Sequence, residues 1–388
     1  MSETSTPHYV NPAPFDPHVA KPMTKAEERF YSASSFKLIW WKFKQNRMAL
    51  AAGIFLALTY LSLPFVEVIA PYSLGQRNSD YLYSPPQEVH FFHDGKFIGP
   101  FVYPLNFSNR DIDDPLFPGL YETDRTKPQP LRFFCQGERY KLWGLFYSDF
   151  HLFCPPEGGP AFLLGTDKLG RDMLSRIIYG ARISLTVGLL GIAVSFSIGL
   201  TLGGLAGYVG GILDSAIMRL IEVLRSLPEL PLWLALSAAM PPNWSPVIVF
   251  LGITVILGLL DWPGLAIAVR SKLKSLRNED FVHAAELMGA SRRRIIGRHL
   301  LPNFMSHLIA SATLSIPAMI LGETALSYLG LGLRPPVTSW GVLLNSAQNL
   351  GSISLYPWLL IPMIPVMLVV LAFNFFGDGL RDAADPYH

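Results

Sequence analysis

The sequence predicts an all-α polytopic membrane protein with a mixed insert domain between its first two spans. Three observations carry that reading. Half of the 388 residues are hydrophobic and only 15% are charged, against roughly 25% in ordinary soluble domains. The charges cluster between apolar runs instead of spreading along the chain. Six of those runs, near 48–70, 183–208, 217–240, 247–269, 304–329 and 357–376, approach or exceed the roughly 20 residues needed to cross a bilayer.

Six spans put both termini on one side, and the bias of Lys and Arg toward short cytoplasmic loops says which side. Lys37, Lys42, Lys44 and Arg47 precede the first span, and Arg270, Lys272, Lys274, Arg277, Arg292, Arg293, Arg294 and Arg298 lie between the fourth and fifth. The connection at 241–246 carries no charge, and 330–356 carries only Arg334. Both termini are therefore expected in the cytoplasm. The first 30 residues are polar and contain proline, without the apolar core of a signal peptide. They are expected to form a cytoplasmic tail. The division that follows is a tail over 1–36, a first helix with a basic lead-in over 37–71, an insert over 72–162, an amphipathic helix over 163–182, a five-helix core over 183–377 and a second tail over 378–388.

The insert lies outside the cell membrane on this topology. It is rich in proline and aromatic residues, and disordered segments are poor in aromatics, so a small packed domain with short strands is expected. Val89 to Phe92 and Phe97 to Gly99, separated by Asp94-Gly95, read as a hairpin with a turn favouring positive φ. Cys135 and Cys154 both fall in this segment. A disulfide between them and two separate buried thiols are both open, and two cysteines make no metal site or disulfide framework. Beyond the insert, Thr166 or Asp167 is placed to cap an amphipathic helix carrying Arg171, Asp172 and Arg176 on one side and Met173, Leu174 and Ile177 on the other. Such a helix suits either a collar around a pore mouth or an interfacial anchor.

The segment 281–303 is the most distinctive polar stretch. His283, Ala284, Ala285 and Glu286 suit a short helix, and Gly289 can end it because glycine tolerates left-handed backbone angles. Ala290 follows, and Ser291 can cap a second helix through Arg294. Leu301 and Pro302 lead into the next span, since proline fits the first helical turn. Small side chains there would let another protein approach the backbone closely, and the arginines suit acidic groups or lipid phosphates. A positive-inside loop without a partner is the plainer alternative.

Polar residues within spans are costly. Asp261 near the middle of the fourth span is a candidate for lining a translocation path, with a structural ion pair or a shifted span boundary as the alternative. Arg219, Glu222 and Arg225 recur at three-residue spacing and read as gate or assembly residues, or else as a salt-bridged face. Glu323 in the fifth span is open in the same way. Gly199, Gly203, Gly204, Gly207, Gly210 and Gly211 include small-x-x-x-small spacings that allow close helix crossing.

Five stretches in order resemble the inner-membrane permeases of binding-protein-dependent ABC importers, in the dipeptide/oligopeptide branch. They are 164–172, 214–228, 283–303, 322–332 and 377–386. The family's loop motif has Glu-Ala-Ala, then Gly, Ile and Leu-Pro; here Ala284, Ala285, Gly289, Leu301 and Pro302 match, while His283 replaces the Glu and His299 the Ile. Glu286, three residues along, is placed to take over part of the missing contact. The resemblance implies the six-helix type I ABC importer permease fold in the bacterial inner membrane. It also implies a second homologous permease chain, two cytoplasmic ATPase subunits, a periplasmic solute-binding protein and contact with membrane lipid, with no nucleic acid. ATP and magnesium would bind the ATPases, since this chain has no Gly-x-x-x-x-Gly-Lys-Ser/Thr stretch and is expected to bind no cofactor or metal itself. It is read as a transport subunit for peptides; oligosaccharides or opines are the nearer alternative, and a stand-alone secondary transporter would need an internal repeat that the chain does not show.

Overall fold

A computed structural model describes residues 35–108, 120–291, 294–300 and 304–384. The chain enters through α1 (Ser35–Gln45), a short helix with Lys42 and Lys44 in its last turn. Asn46 then caps α2 (Arg47–Ser62) by accepting from the Ala49 amide at 3.1 Å. A 3₁₀ turn over Leu63–Phe65 and the four-residue helix α3 (Val66–Ile69) carry the span to its end.

The described residues of the insert form three small antiparallel sheets. In the first, β1 (His90–His93), β2 (Lys96–Val102) and β5 (Gln129–Pro130) lie in the order β1-β2-β5. The turn between β1 and β2 is the expected Asp94-Gly95, both with positive φ. The second sheet pairs β3 (Leu105–Ser108) with β4 (Leu120–Thr123), and the third pairs β6 (Arg132–Leu142) with β7 (Phe146–Cys154). Cys135 and Cys154 are joined by a disulfide, with Cα atoms 6.3 Å apart.

The helical body follows. It consists of α4 (Met173–Val209), α5 (Gly211–Ser226), α6 (Glu229–Ala238), α7 (Pro246–Leu276), α8 (Asp280–Leu287), a π-turn over Ile295–Leu300, α9 (Met305–Tyr328), α10 (Trp340–Asn345), α11 (Leu350–Leu355) and α12 (Met363–Ala384). Among the described residues, five helical stretches are long and apolar enough to span a membrane, at Arg47–Ile69, Met173–Val209, Pro246–Leu276, Met305–Tyr328 and Pro357–Ala384. Four of the expected spans are therefore present near their expected places, and the second is present but longer.

Three expectations change. The expected span at 217–240 is two helices, because Leu227 before Pro228 is extended (ψ 137°), the backbone region proline imposes on its predecessor. The second piece, α6, has ten residues and reaches only about 15 Å. The expected separate helix at 163–182 does not form either. Residues before Asp172 fold into turns, Asp172 rather than Thr166 or Asp167 is the cap, and a single 37-residue helix runs on from Met173. Nothing between 173 and 209 stops it, and its glycines lie on helix-packing faces. Third, α12 continues to Ala384, past the expected boundary at 377.

Packing centres on α4. Leu185 and Ile192 of α4 meet Leu56 of α2, Ile320 of α9, Trp340 of α10, and Val369 and Phe373 of α12 in one buried cluster. Val187 meets Ile253 and Leu257 of α7 and Met319 of α9 in another. The α4–α7 crossing is very close: a Cβ on Gly203 would lie 2.6 Å from the Ala266 carbonyl oxygen, and one on Gly207 2.8 Å from that of Arg270. The four-residue glycine spacing thus serves backbone contact.

Candidate coupling surface and intramembrane polar groups

The segment after α7 builds the most distinctive surface. In α8, Val282 and Ala285 face inward and are buried with Val269 and Leu273 of α7, Tyr208 of α4, Leu308 of α9, and Ile295 and Leu300 of the π-turn. The helix closes as its sequence requires. Gly289 has φ +76°, its amide donates to the Glu286 carbonyl at 2.9 Å, and the Ala290 amide donates to that of Ala285 at 3.0 Å. This is the left-handed glycine closure of a helix C-terminus. Ser291 Oγ accepts from the Arg294 amide at 3.4 Å and begins the following turn.

The opposite face of α8 is open. Phe281 and Ala284 are exposed, and beyond them Leu287 and Met288 are 90% and 81% exposed. Such apolar exposure in a short helix held firmly from behind makes this face a candidate contact surface. Glu286 links the two faces: Oε1 accepts from the Tyr208 hydroxyl at 2.8 Å, and Oε2 lies 3.8 Å from His283 Nδ1. The segment 281–291 thus brings together His283, Ala284, Ala285, Glu286, Gly289, Ala290 and Ser291, with Arg294 exposed beside them. Leu301 and Pro302 lie outside the described residues. Tyr208, Phe281, Leu287 and Met288 were not singled out in the sequence. Helical spacing of Phe281, Ala284 and Leu287 was the available signal for the apolar row; Tyr208, 78 residues from Glu286, left none.

The polar groups within the helices separate into distinct roles. Asp261 on α7 accepts from Ser195 Oγ of α4 at 2.8 Å and is half-buried. Glu323 is fully buried, and its carboxylate accepts from Ser184 Oγ (3.1 Å), Ser327 Oγ (2.7 Å) and Ser339 Oγ (2.7 Å). Ser184 Oγ in turn accepts from the Trp340 amide, and Ser339 Oγ from that of Val342. This chain of bonds ties α4, α9 and the start of α10, so Glu323 sits at a joint rather than on an open surface. Arg219 donates to Glu222 at 2.9 Å on the outside of α5, and Arg225 is exposed on the same helix. A cluster the sequence had not flagged joins α5 to α7: Asp214 accepts from both Arg270 and Lys274.

At the insert end, Asp167 folds the turn before α4. It accepts from Arg171 Nη2 at 2.6 Å and Arg176 Nη1 at 2.5 Å. Burial pushes its carboxyl up, but Arg176 and Arg171 outweigh that and hold it below the usual range. Asp172, which caps α4 through the Ser175 amide at 2.7 Å, is pushed up to about 6 by burial, against the lowering effect of Ser175.

A multi-pass helical bundle with a short exposed helix between two of its spans suits a membrane transport component. The comparisons place it more narrowly. A family described as "Binding-protein-dependent transport system inner membrane component" matches residues 199–387, and one described as "N-terminal TM domain of oligopeptide transport permease C" matches 34–86. A Lactococcus lactis dipeptide transport system permease protein, DppC, is 32% identical over 354 residues, covering 91% of each chain. A Bacillus subtilis protein of the same name is 44% identical over 234 residues, 60% of this chain and 70% of that one. A Haemophilus influenzae oligopeptide transport system permease protein, OppC, is 44% identical over 223 residues, 57% of this chain and 69% of that one. The chain belongs to the inner-membrane components of binding-protein-dependent transport systems, and is a multi-pass inner-membrane protein.

Proposed function

We propose that this chain is a permease subunit of an ATP-driven ABC importer that, with a second homologous permease chain, forms a translocation path for peptides delivered by a periplasmic binding protein. The names of the relatives support the substrate class. Two ATPase subunits outside this chain would bind ATP and magnesium. Both termini and α8 would lie in the cytoplasm, as the arginine-rich stretch around α8 favours, and the insert would lie in the periplasm. Asp261, half-buried at the α4–α7 crossing, and Arg219, Glu222 and Arg225 on the open side of α5 are the path and gate groups of this reading.

The observation that carries the proposal is the two-sided character of α8. Its outer row of Phe281, Ala284, Leu287 and Met288 is free to enter a cleft on an ATPase. Its inner face is keyed to α4, α7 and α9, so displacement of α8 passes directly to three spans. His283, Ala285, Glu286, Ala290, Ser291 and Arg294 hold that lever in shape, and Leu301 and Pro302 would join it to α9.

Gly289→Val tests the reading. No heavy atom lies within 4 Å of a Cβ built there, so the substitution acts through φ +76° alone. With the whole complex and its binding protein in proteoliposomes, ATP hydrolysis should persist while uptake falls at least tenfold, with the subunits still co-purifying. Normal uptake by this variant would remove the coupling role.

A further inference from the structure

The β6–β7 hairpin is fastened to the first span at two heights. Near its base, His151 Nδ1 lies 2.9 Å from the carbonyl oxygen of Ala70, the residue after α3. At its tip, Trp143 Nε1 donates to the Pro64 carbonyl at 2.8 Å, and the indole centroid is 6.3 Å from that of Phe65. Ala70 and Pro64 are six residues apart on a helical stretch, so the hairpin descends about 9 Å alongside the span. Its tip therefore lies deeper than the end of the helix it leans on.

The tip is built of the wrong residues for water. Leu145, Phe146 and Tyr147 are 72%, 62% and 74% exposed, at the end of a hairpin turned by Trp143 and Gly144 with positive φ. The span beside the tip is apolar too: Phe65, next to Trp143, is exposed, and so are Leu58 and Leu61 further along it. Lys141, paired opposite Tyr147, places its ammonium 4.9 Å from that ring. This pair stands one register step back from Leu142 and Phe146, so a basic and a phenolic group lie over the apolar tip, in the order of headgroups over acyl chains.

We propose that the β6–β7 hairpin is a membrane-dipping tongue, with Leu145 and Phe146 seated among phospholipid acyl chains and the Lys141–Tyr147 pair at the headgroup phosphates. Trp143 fixes its depth by bonding the span itself. The insert is thereby braced against the bilayer as well as against the helices. The inference rests on α2 crossing the membrane, which a separate label checks.

The test uses the assembled complex in nanodiscs of phosphatidylethanolamine and phosphatidylglycerol, with a nitroxide on Phe146→Cys; the native cysteines are bonded to each other. The label should be reached by oxygen and shielded from an aqueous nickel chelate, with an oxygen-to-nickel ratio at least fivefold above that at the exposed insert site Lys127→Cys. Leu145→Cys should give the same result and stands in if the first variant misfolds. A label at Leu61→Cys, on the span, should be oxygen-accessible whatever the hairpin does. Nickel access at the tip equal to that at position 127 would put the tip in water and overturn the proposal. Shielding from both reagents would show a protein covering it, and would overturn the proposal equally.

Discussion

Tyr208 donates its hydroxyl to Glu286 at 2.8 Å, tying the last turn of the 37-residue helix α4 to the exposed helix α8. Tyr208 is buried and Glu286 is exposed, so the bond joins a fixed group to a surface one. Tyr208→Phe keeps the packed ring and removes the link. Net loss of stability should be small, about 1 kcal/mol, because Glu286 can turn to water. The expected change is in coupling: uptake per ATP hydrolysed should fall several-fold in proteoliposomes, with assembly unchanged. An unaltered ratio would mean the bond transmits nothing.

The α4–α7 crossing separates two glycines that look alike in sequence. A Cβ on Gly203 meets backbone, the Ala266 carbonyl oxygen at 2.6 Å, whereas one on Gly199 meets the Leu265 side chain, with Cδ2 at 2.8 Å. The Leu265 branch can rotate away and its Cβ, at 3.1 Å, lies farther off than the Ala266 backbone at 2.6 Å, which must move with its helix. Gly203→Ala should therefore cost about 1–3 kcal/mol and lower the thermal midpoint in detergent, while Gly199→Ala should cost less. Equal midpoints for the two variants would contradict a backbone contact at Gly203.

The serine cage around Glu323 makes a third prediction. Glu323→Ala strands hydroxyls of Ser184, Ser327 and Ser339 in a buried site and leaves a cavity. Unsatisfied buried groups cost about 1–3 kcal/mol each when they cannot find new partners. The thermal midpoint should drop by about 5 °C or more, with Glu323→Gln intermediate because it retains one acceptor. A variant as stable as the parent would show that the cage is not a structural joint.

Much of this architecture could be read from composition and spacing, for reasons that particular elements make plain. Hydropathy located α2, α7, α9 and α12 because each buries or exposes apolar side chains along a full membrane thickness. It failed at 217–240, where the sum of apolar residues hides the backbone break that Pro228 imposes; the capping pattern failed at 163–182, where residues before Asp172 form turns and Asp172 itself is the cap. The short helix at α8 and its closure at Gly289 were legible because both are local. Tyr208 with Glu286, Asp214 with Arg270, and Trp143 with Pro64 were not, since each pair meets only after distant segments pack.

The turn before α4 sets two carboxylates against each other as pH changes. Asp172, pushed up to about 6 by burial from an ordinary value of about 3.9, contributes stability that is fully present below that ordinary value and lost as pH rises through about 6. Asp167, held low by Arg176 and Arg171 against its burial, contributes stability above the ordinary carboxylate range and loses it as pH falls. Asp172→Asn keeps an acceptor for the Ser175 amide that caps α4 and removes the buried charge. It should therefore gain on the order of 1–3 kcal/mol over the parent at pH 8 and lose the parent's decline between pH 4 and 6. Asp167→Asn should do the reverse at neutral pH, since it leaves Arg176 buried beside a neutral group, a loss of about 3–5 kcal/mol. Thermal midpoints of the two variants across pH 4 to 8 decide the matter. If Asp172→Asn is no more stable than the parent at pH 8, the buried cap carries no charge cost and its assignment fails.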